Sequence, residues 1–194
     1  MPESELARDQ GLVVQSLKGD RKAFETLVRL YQPLVSTVIY RAVEDQEASR
    51  DLTQDTFVKA FRALASYDGK RSFKTWLLTI ANNCALDHLR SANVARNRSL
   101  DAILEEEPHL EPVGPLSTEK EAELSLFLGK LSWALSLIPL RYRQAFILRY
   151  QFDLSYEDIA TVMKESDNNV RTLLFRAKER LRKLISGDRE SSKQ

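Results

Sequence analysis

The run SYDGKRSFKTWLLTIANNCALDHLR, residues 66–90, decides how the rest of the chain is read. It opens as a turn-prone basic loop, Tyr67-Asp68-Gly69-Lys70-Arg71-Ser72, and then becomes a helix that Ser72 is placed to cap. Phe73, Trp76, Leu77, Ile80, Ala81 and Cys84 recur at helical spacing and predict one buried stripe. The other face carries Lys74, Asn82, Asn83, Asp87 and Arg90. From Lys70 to Arg98 there are six basic residues against one acid, Asp87. Cations neutralise phosphate, aromatic rings stack on unpaired bases and amides pair with base edges, so the stretch suits an unstacked nucleic-acid strand. A solvated helix over an ordinary core competes on equal terms until the flanking chain is read.

The flanking chain is helical throughout. Only 6 glycines and 6 prolines occur in 194 residues, strand-like alternation is nearly absent, and 3.6-residue periodicity dominates, which predicts an all-α protein. The net charge of +1 conceals an uneven distribution: residues 1–93 carry +1, residues 94–123 carry −5 and residues 124–194 carry +5. Cys84 is the only cysteine, which excludes an intrachain disulfide and fits a reducing cytosol. The polar N-terminus is no signal peptide, and no apolar run approaches the ~18–20 residues of a membrane span. A cytoplasmic protein without membrane insertion is expected.

Before the basic loop, Met1 to Arg8 reads as frayed, and Leu12, Val13, Ser16 and Leu17 as a short helix ended by Gly19-Asp20. A long amphipathic helix follows from Arg21, with Pro33 expected to kink or restart it. A third helix, about Glu47 to Leu64, turns Leu52, Phe57, Ala60, Phe61 and Leu64 inward. Asp51, Gln54, Asp55, Lys59 and Arg62 face outward, an ordinary wet face on composition alone. These helices form a first domain, residues 1–93. Residues 94–123 are acidic, contain three prolines and read as a flexible linker.

A second domain, residues 124–186, begins where periodicity returns. An apolar helix breaks at Ile138-Pro139, and a second runs from Arg141 to Tyr150. Ser155 and Asp158 then form an approximate capping box ahead of a short helix, Tyr156 to Met163. A polar turn, Lys164 to Asp167, leads into a last helix capped by Asp167 or Asn168 and ending near Ile185. Val170, Leu173 or Leu174, Ala177, Leu181 and Leu184 face inward there, leaving Arg171, Arg176, Lys178, Arg180, Arg182 and Lys183 outside. Short helix, tight turn and basic helix make a helix-turn-helix, whose second helix can enter a major groove, arginine pairing with guanine. A helical hairpin with a solvated basic face is the weaker alternative. Residues 187–194 read as a disordered tail. No glycine-rich phosphate loop or metal-spaced Cys/His set is present, and His88 and His109 are the only histidines. No catalytic residue, metal or cofactor is expected, and Cys84 belongs to the core.

Four segments in this order, DLTQDTFVKAFRAL (51–64), FKTWLLTIANNCALDHLR (73–90), LIPLRYRQAFILRYQFDLSYEDIA (137–160) and NVRTLLFRAKERLR (169–182), resemble the bacterial extracytoplasmic-function sigma factors. These are two-domain alternative sigma subunits of RNA polymerase, and the resemblance runs from about Leu12 to Leu184. It implies that Asp51, Leu52, Gln54, Asp55, Phe57 and Arg62 dock on the clamp helices of the largest polymerase subunit, overturning the wet-face reading. It implies capture of the −10 element strand by Tyr67, Lys70, Arg71, Ser72, Lys74, Asn83, Asp87 and Arg90. Phe73 and Trp76 are then core supports rather than melting wedges, and the linker threads toward the active-site and RNA-exit channels. The −35 element falls to Asn169, Arg171, Thr172, Phe175, Arg176 and Arg180, with the C-terminal domain also meeting the polymerase flap. Core RNA polymerase, promoter DNA and an anti-sigma factor are the implied partners. Three departures stand out: Asn168-Asn169 where relatives often have Gly-Thr, Thr172-Leu173 where Ser-Arg is common, and Asp153 where glycine is common. They leave two other readings open, a sigma mimic that titrates an anti-sigma factor and a free-standing helix-turn-helix repressor.

Overall fold

The computed structural model describes residues 3–98 and 119–191, and among these there are eight α-helices and no strand. They are α1 (Glu3–Leu17), α2 (Arg21–Val43), α3 (Gln46–Ala63), α4 (Phe73–Arg98), α5 (Glu119–Leu137), α6 (Leu140–Tyr150), α7 (Tyr156–Met163) and α8 (Asp167–Ser191). The all-α expectation holds. Residues 99–118, which include most of the expected linker and His109, lie outside the described residues, as do 192–194. α4 and α5 extend into the stretch read as linker, and α8 runs through Ser191 rather than ending near Ile185.

Local chemistry explains most boundaries. Gly19 sits at φ 97°, where a side chain would be strained, and Asp20 caps α2 by accepting from the amides of Lys22 and Ala23. Asp45 caps α3 through the Ala48 amide at 2.8 Å. α2 is not restarted at Pro33; one helix runs through it, and Thr37 donates to the Pro33 carbonyl at 2.8 Å. α1 also starts earlier than its apolar pattern suggests. Asp9, on its inner face, is 1% exposed and accepts from the Tyr31 hydroxyl and from Arg8. That buried polar anchor is invisible to a search for apolar periodicity.

α1 to α4 enclose a core of Val13, Leu27, Tyr31, Val35, Ile39, Phe57, Ala60, Leu64, Phe73, Leu77 and Ala81. In α3 the inward face is centred on Ala60, Thr53 and Thr56, not on Phe61. At about 100° per residue, Phe61 lies well round from Ala60 and is 53% exposed. Thr53 and Thr56 can occupy the buried face because each hydroxyl donates to the carbonyl four residues back, at 2.7 Å.

α5 to α8 do not stand apart from this bundle. A second core joins Val38 of α2 and Leu78 of α4 to Leu148, Leu154, Ile159, Val162, Val170 and Leu174. A third, Ala134, Leu135, Ile138, Ala177 and Leu181, packs α5 on α8. Part of the polar side of α4 is covered by α7: Leu78 is 0% and Asn82 3% exposed, while Asp87 and Arg90 stay exposed. Trp76 and Ile80, read as buried, are only partly so.

Candidate nucleic-acid interface

The basic loop is built from its own hydrogen bonds. Gly69 adopts φ 69°, the Lys70 amide donates to Asp68 at 3.0 Å, and the Tyr67 hydroxyl donates to the Arg71 carbonyl at 2.7 Å. Beneath it Tyr67, Phe73 and Trp76 pack with ring centroids 5.5–5.7 Å apart, and Tyr31 lies 5.5 Å from Phe73. Phe73 is fully buried and Trp76 half-buried, so both support the loop from below. Burial, and then the carboxylates of Asp9 and Asp68, push the Tyr67 phenol above its ordinary range. Ser72 caps α4 as expected, accepting from the Thr75 amide at 3.1 Å. Lys70 and Arg71 reach solvent, with Lys70 paired only loosely to Asp68 at 3.6 Å.

Along α4, Asn83, Asp87 and Arg90 line a cleft with Asn82, Leu86, Met163 and Lys164. Arg90 bonds Asp87 at 3.2 Å. The structure thus brings the eight residues assigned to strand capture onto one loop and one helix. It also shows one residue, Thr75, and several contacts of α4 that the sequence reading missed. Thr75, 1% exposed, donates to Asp158 of α7 at 3.0 Å. Asn82 donates to the Val162 carbonyl at 3.1 Å and accepts from Gln144 at 2.8 Å. Lys74 donates to the Phe152 carbonyl at 2.7 Å, and its half-burial lowers its pKa despite nearby Glu5, Asp153 and Asp158. Polar residues at helix positions that should be dry were the available signal.

The α3 set divides. Asp51, Gln54, Asp55 and Arg62 are exposed and Leu52 is half-buried, whereas Phe57 is 8% exposed and belongs to the core. Phe61 stands out instead, edge-on to Phe24 at 4.9 Å, in a groove between α3 and α5 that also presents Val28, Val58, Leu126 and Trp133.

α7 and α8 form the expected helix-turn-helix. Ser155 accepts from the Asp158 amide at 3.1 Å and bonds its carboxylate at 2.6 Å. α8 is capped by Ser166, through the Asn169 amide at 3.2 Å, rather than by Asp167 or Asn168. Arg171, Thr172, Phe175, Arg176 and Arg180 share the exposed face, with Phe175 67% exposed; Asn169 is half-buried and bonds Glu165. Arg171 stacks over Tyr156 at 4.9 Å and Arg180 over Tyr142 at 5.1 Å, which fixes both guanidinium groups on the outer side. Arg176, hydrogen-bonded to Tyr142, lowers that phenol's pKa. Two departures find a place. Leu173 is 6% exposed, so its side chain lies in the core and takes no cation from the outer face. Asp153 adopts φ 49°, a left-handed conformation that glycine takes without strain.

A basic loop over an aromatic layer, joined in one chain to a helix-turn-helix with a cationic outer face, defines a helical DNA-binding protein. The comparisons narrow this. Residues 27–95 match the family model for Sigma-70 region 2, and residues 129–181 match that for Sigma-70, region 4. The RNA polymerase sigma-H factor of Pseudomonas aeruginosa is 36% identical over 185 residues, 92% of this chain and 94% of that protein. The ECF RNA polymerase sigma-E factor of Escherichia coli K12 is 38% identical over 180 residues, 91% and 93% of the two chains. Among solved structures, the Bartonella quintana sigma factor RpoE, crystallised with the anti-sigma factor NepR, has a TM-score of 0.72 at 24% identity, over 85% of this chain and 98% of that one. CnrH, solved with the cytosolic domain of CnrY, has a TM-score of 0.66 at 23% identity, over 93% and 99%. Both share the fold. The chain belongs to the sigma-70 family, in its extracytoplasmic-function group: it is an alternative sigma factor, a transcription-initiation subunit. The reading as a repressor with an unrelated N-terminal domain is set aside, because that domain is region 2.

Proposed function

We propose that residues 1–93 dock on core RNA polymerase and capture the melted −10 strand, that residues 94–123 thread through the polymerase, and that residues 124–186 read the −35 element and meet the flap. Docking falls to Asp51, Leu52, Gln54, Asp55 and Arg62, with Phe57 supporting them from beneath. Strand capture falls to Tyr67, Lys70, Arg71, Ser72, Lys74, Asn83, Asp87 and Arg90, and the −35 element to Asn169, Arg171, Thr172, Phe175, Arg176 and Arg180. The observation that carries this is the basic loop held over an aromatic layer at the start of α4, with Asn83, Asp87 and Arg90 lining a cleft further along the same helix. Opening is driven by binding the unpaired strand, so the chain needs no catalytic group of its own. It acts in the cytoplasm, where its polymerase works; among the described residues no helix is long and apolar enough to cross a membrane. The solved relative held by NepR supports an anti-sigma partner here as well. The mimic reading loses its main support, because the leucine that replaces a cation is buried.

Reconstitution with core polymerase and mapping of transcript starts tests the whole. Replacing Lys70, Arg71 and Lys74 together by alanine is expected to impair open-complex formation, read by permanganate reactivity, while leaving core binding intact. Equal loss of both would reject the strand-capture role.

A further inference from the structure

The turn between α7 and α8 links side chains from two helices through one carboxylate. Glu165 lies in that turn, its amide donating to the Ala160 carbonyl at 2.9 Å just after Lys164 takes φ 55°. Its side chain is only 16% exposed although charged, and two groups meet the carboxylate: the guanidinium of Arg141, from the first turn of α6, and the side-chain amide of Asn169, in the first turn of α8. Asn169 is held at its backbone as well, because its N–H donates to the Ser166 hydroxyl at 3.2 Å. It is half of the Asn168-Asn169 pair that stands where relatives often have Gly-Thr. It also belongs to the opening turn of the second helix of a helix-turn-helix, whose residues meet base edges when that helix enters a major groove.

We propose that Glu165 is a specificity-determining positioning residue: held by Arg141, it fixes the Asn169 amide with the oxygen turned away from the carboxylate, so that Asn169 selects a base bearing an exocyclic amino group. This deepens the −35 reading of α8 given above and rests on it. An ionised carboxylate accepts hydrogen bonds and donates none. The asparagine beside it must therefore present its amide nitrogen, as the structure has it, and the oxygen is left for another partner. In the major groove adenine offers its N6 amino group and cytosine its N4 amino group, whereas guanine offers only O6 and N7 and thymine only O4, all acceptors. An oxygen held in place thus accepts from adenine or cytosine and is repelled by guanine or thymine at the same spot. An amide with no such neighbour turns over and serves a donor or an acceptor equally well. Arg141 completes the device, since a largely covered carboxylate without a cation tends to take up a proton, and a protonated one can donate to the asparagine oxygen and reverse the choice. Both ends of the Glu165–Asn169 bond are tied to backbone, so the amide is set before DNA arrives.

Holoenzyme reconstituted from core polymerase and the full chain would be given a promoter library randomised across the −35 element, and the bound DNA sequenced. The unaltered protein is expected to favour adenine or cytosine over guanine or thymine at one position of one strand. Asn169→Ala should erase that preference, which assigns the position. Glu165→Ala should reduce it at least about fivefold while leaving preferences elsewhere unchanged, and adding Glu165→Ala to Asn169→Ala should change nothing further. Glu165→Gln, which keeps the volume but can donate as well as accept, should reduce it too, as should Arg141→Gln. Weaker binding to every sequence alike, with the preference intact, would leave Glu165 a purely structural role and overturn the proposal. So would no such preference, one for guanine or thymine, or one that survives Glu165→Ala. Failure of the underlying reading would look different: Arg171→Ala with Arg176→Ala would leave every −35 preference in place.

Discussion

Tyr31 and Asp9 show how single groups tie the first helix to the bundle. The Tyr31 phenol is pushed above its ordinary range by burial first and then by its hydrogen bond to Asp9. The native state holds the phenolic proton more tightly than the unfolded chain does. The contribution is therefore complete below the unfolded value, about pH 10, and is lost as pH rises through the higher native value. Tyr31→Phe should destabilise by about 1–3 kcal/mol near neutral pH, since Asp9 keeps only Arg8. It should also flatten the alkaline fall in urea midpoint, which a pH series would read. On α8, Arg171→Ala with Arg176→Ala is expected to weaken upstream promoter contacts by about 1–3 kcal/mol per lost base contact, leaving polymerase association intact. Footprinting and the salt dependence of holoenzyme binding check this. The same helix shows what sequence could not settle: periodicity left Leu173 or Leu174 inward, and the structure buries both, at 6% and 3% exposure. It also cannot see Tyr156, whose ring arrives from α7 to hold Arg171 in place.

At the scale of the element, α4 carries the most information. Its loop, its Ser72 cap and its Phe73-Leu77-Ala81-Cys84 stripe were legible because each is a local pattern. Leu78 and Asn82 were not, because what buries them comes from about 65 to 80 residues further along the chain. Adjacent leucines therefore answer to different cores. Leu77→Ala should lower the stability of the α1–α4 bundle by about 2–5 kcal/mol. Leu78→Ala should spare that bundle and loosen the contact with α7. Hydrogen exchange resolved by helix would separate them: Leu77→Ala speeds exchange in α2 and α3, Leu78→Ala in α7. α3 teaches a related lesson. Its exposed phenylalanine and buried threonines invert the usual assignment, since helix angle decides the face and a threonine hydroxyl can satisfy itself on its own backbone.

For the whole molecule, the order of helices and the helix-turn-helix could be read from residue patterns, because each rests on short-range spacing and capping. How the two parts meet could not. Nothing in periodicity distinguishes a helix face meant for water from one meant for a neighbour that is tethered elsewhere. The polar character of that contact deepens the ambiguity, since Lys74, Asn82, Gln144 and Arg143 all look like surface residues on paper. The Nε of Arg143 is buried without a hydrogen-bond partner, and burial lowers its pKa.

Val38 and Leu78 belong by sequence to one half of the chain and by packing to the other. If the polypeptide were made as two pieces, 1–98 and 119–194, each piece would present a greasy scar where the other had been. The first piece alone should be prone to self-association, and mixing should restore a one-to-one heterodimer without any peptide link. Analytical ultracentrifugation of the pieces, separately and together, would show it, and the Leu78→Asp version of the first piece should fail to find its mate.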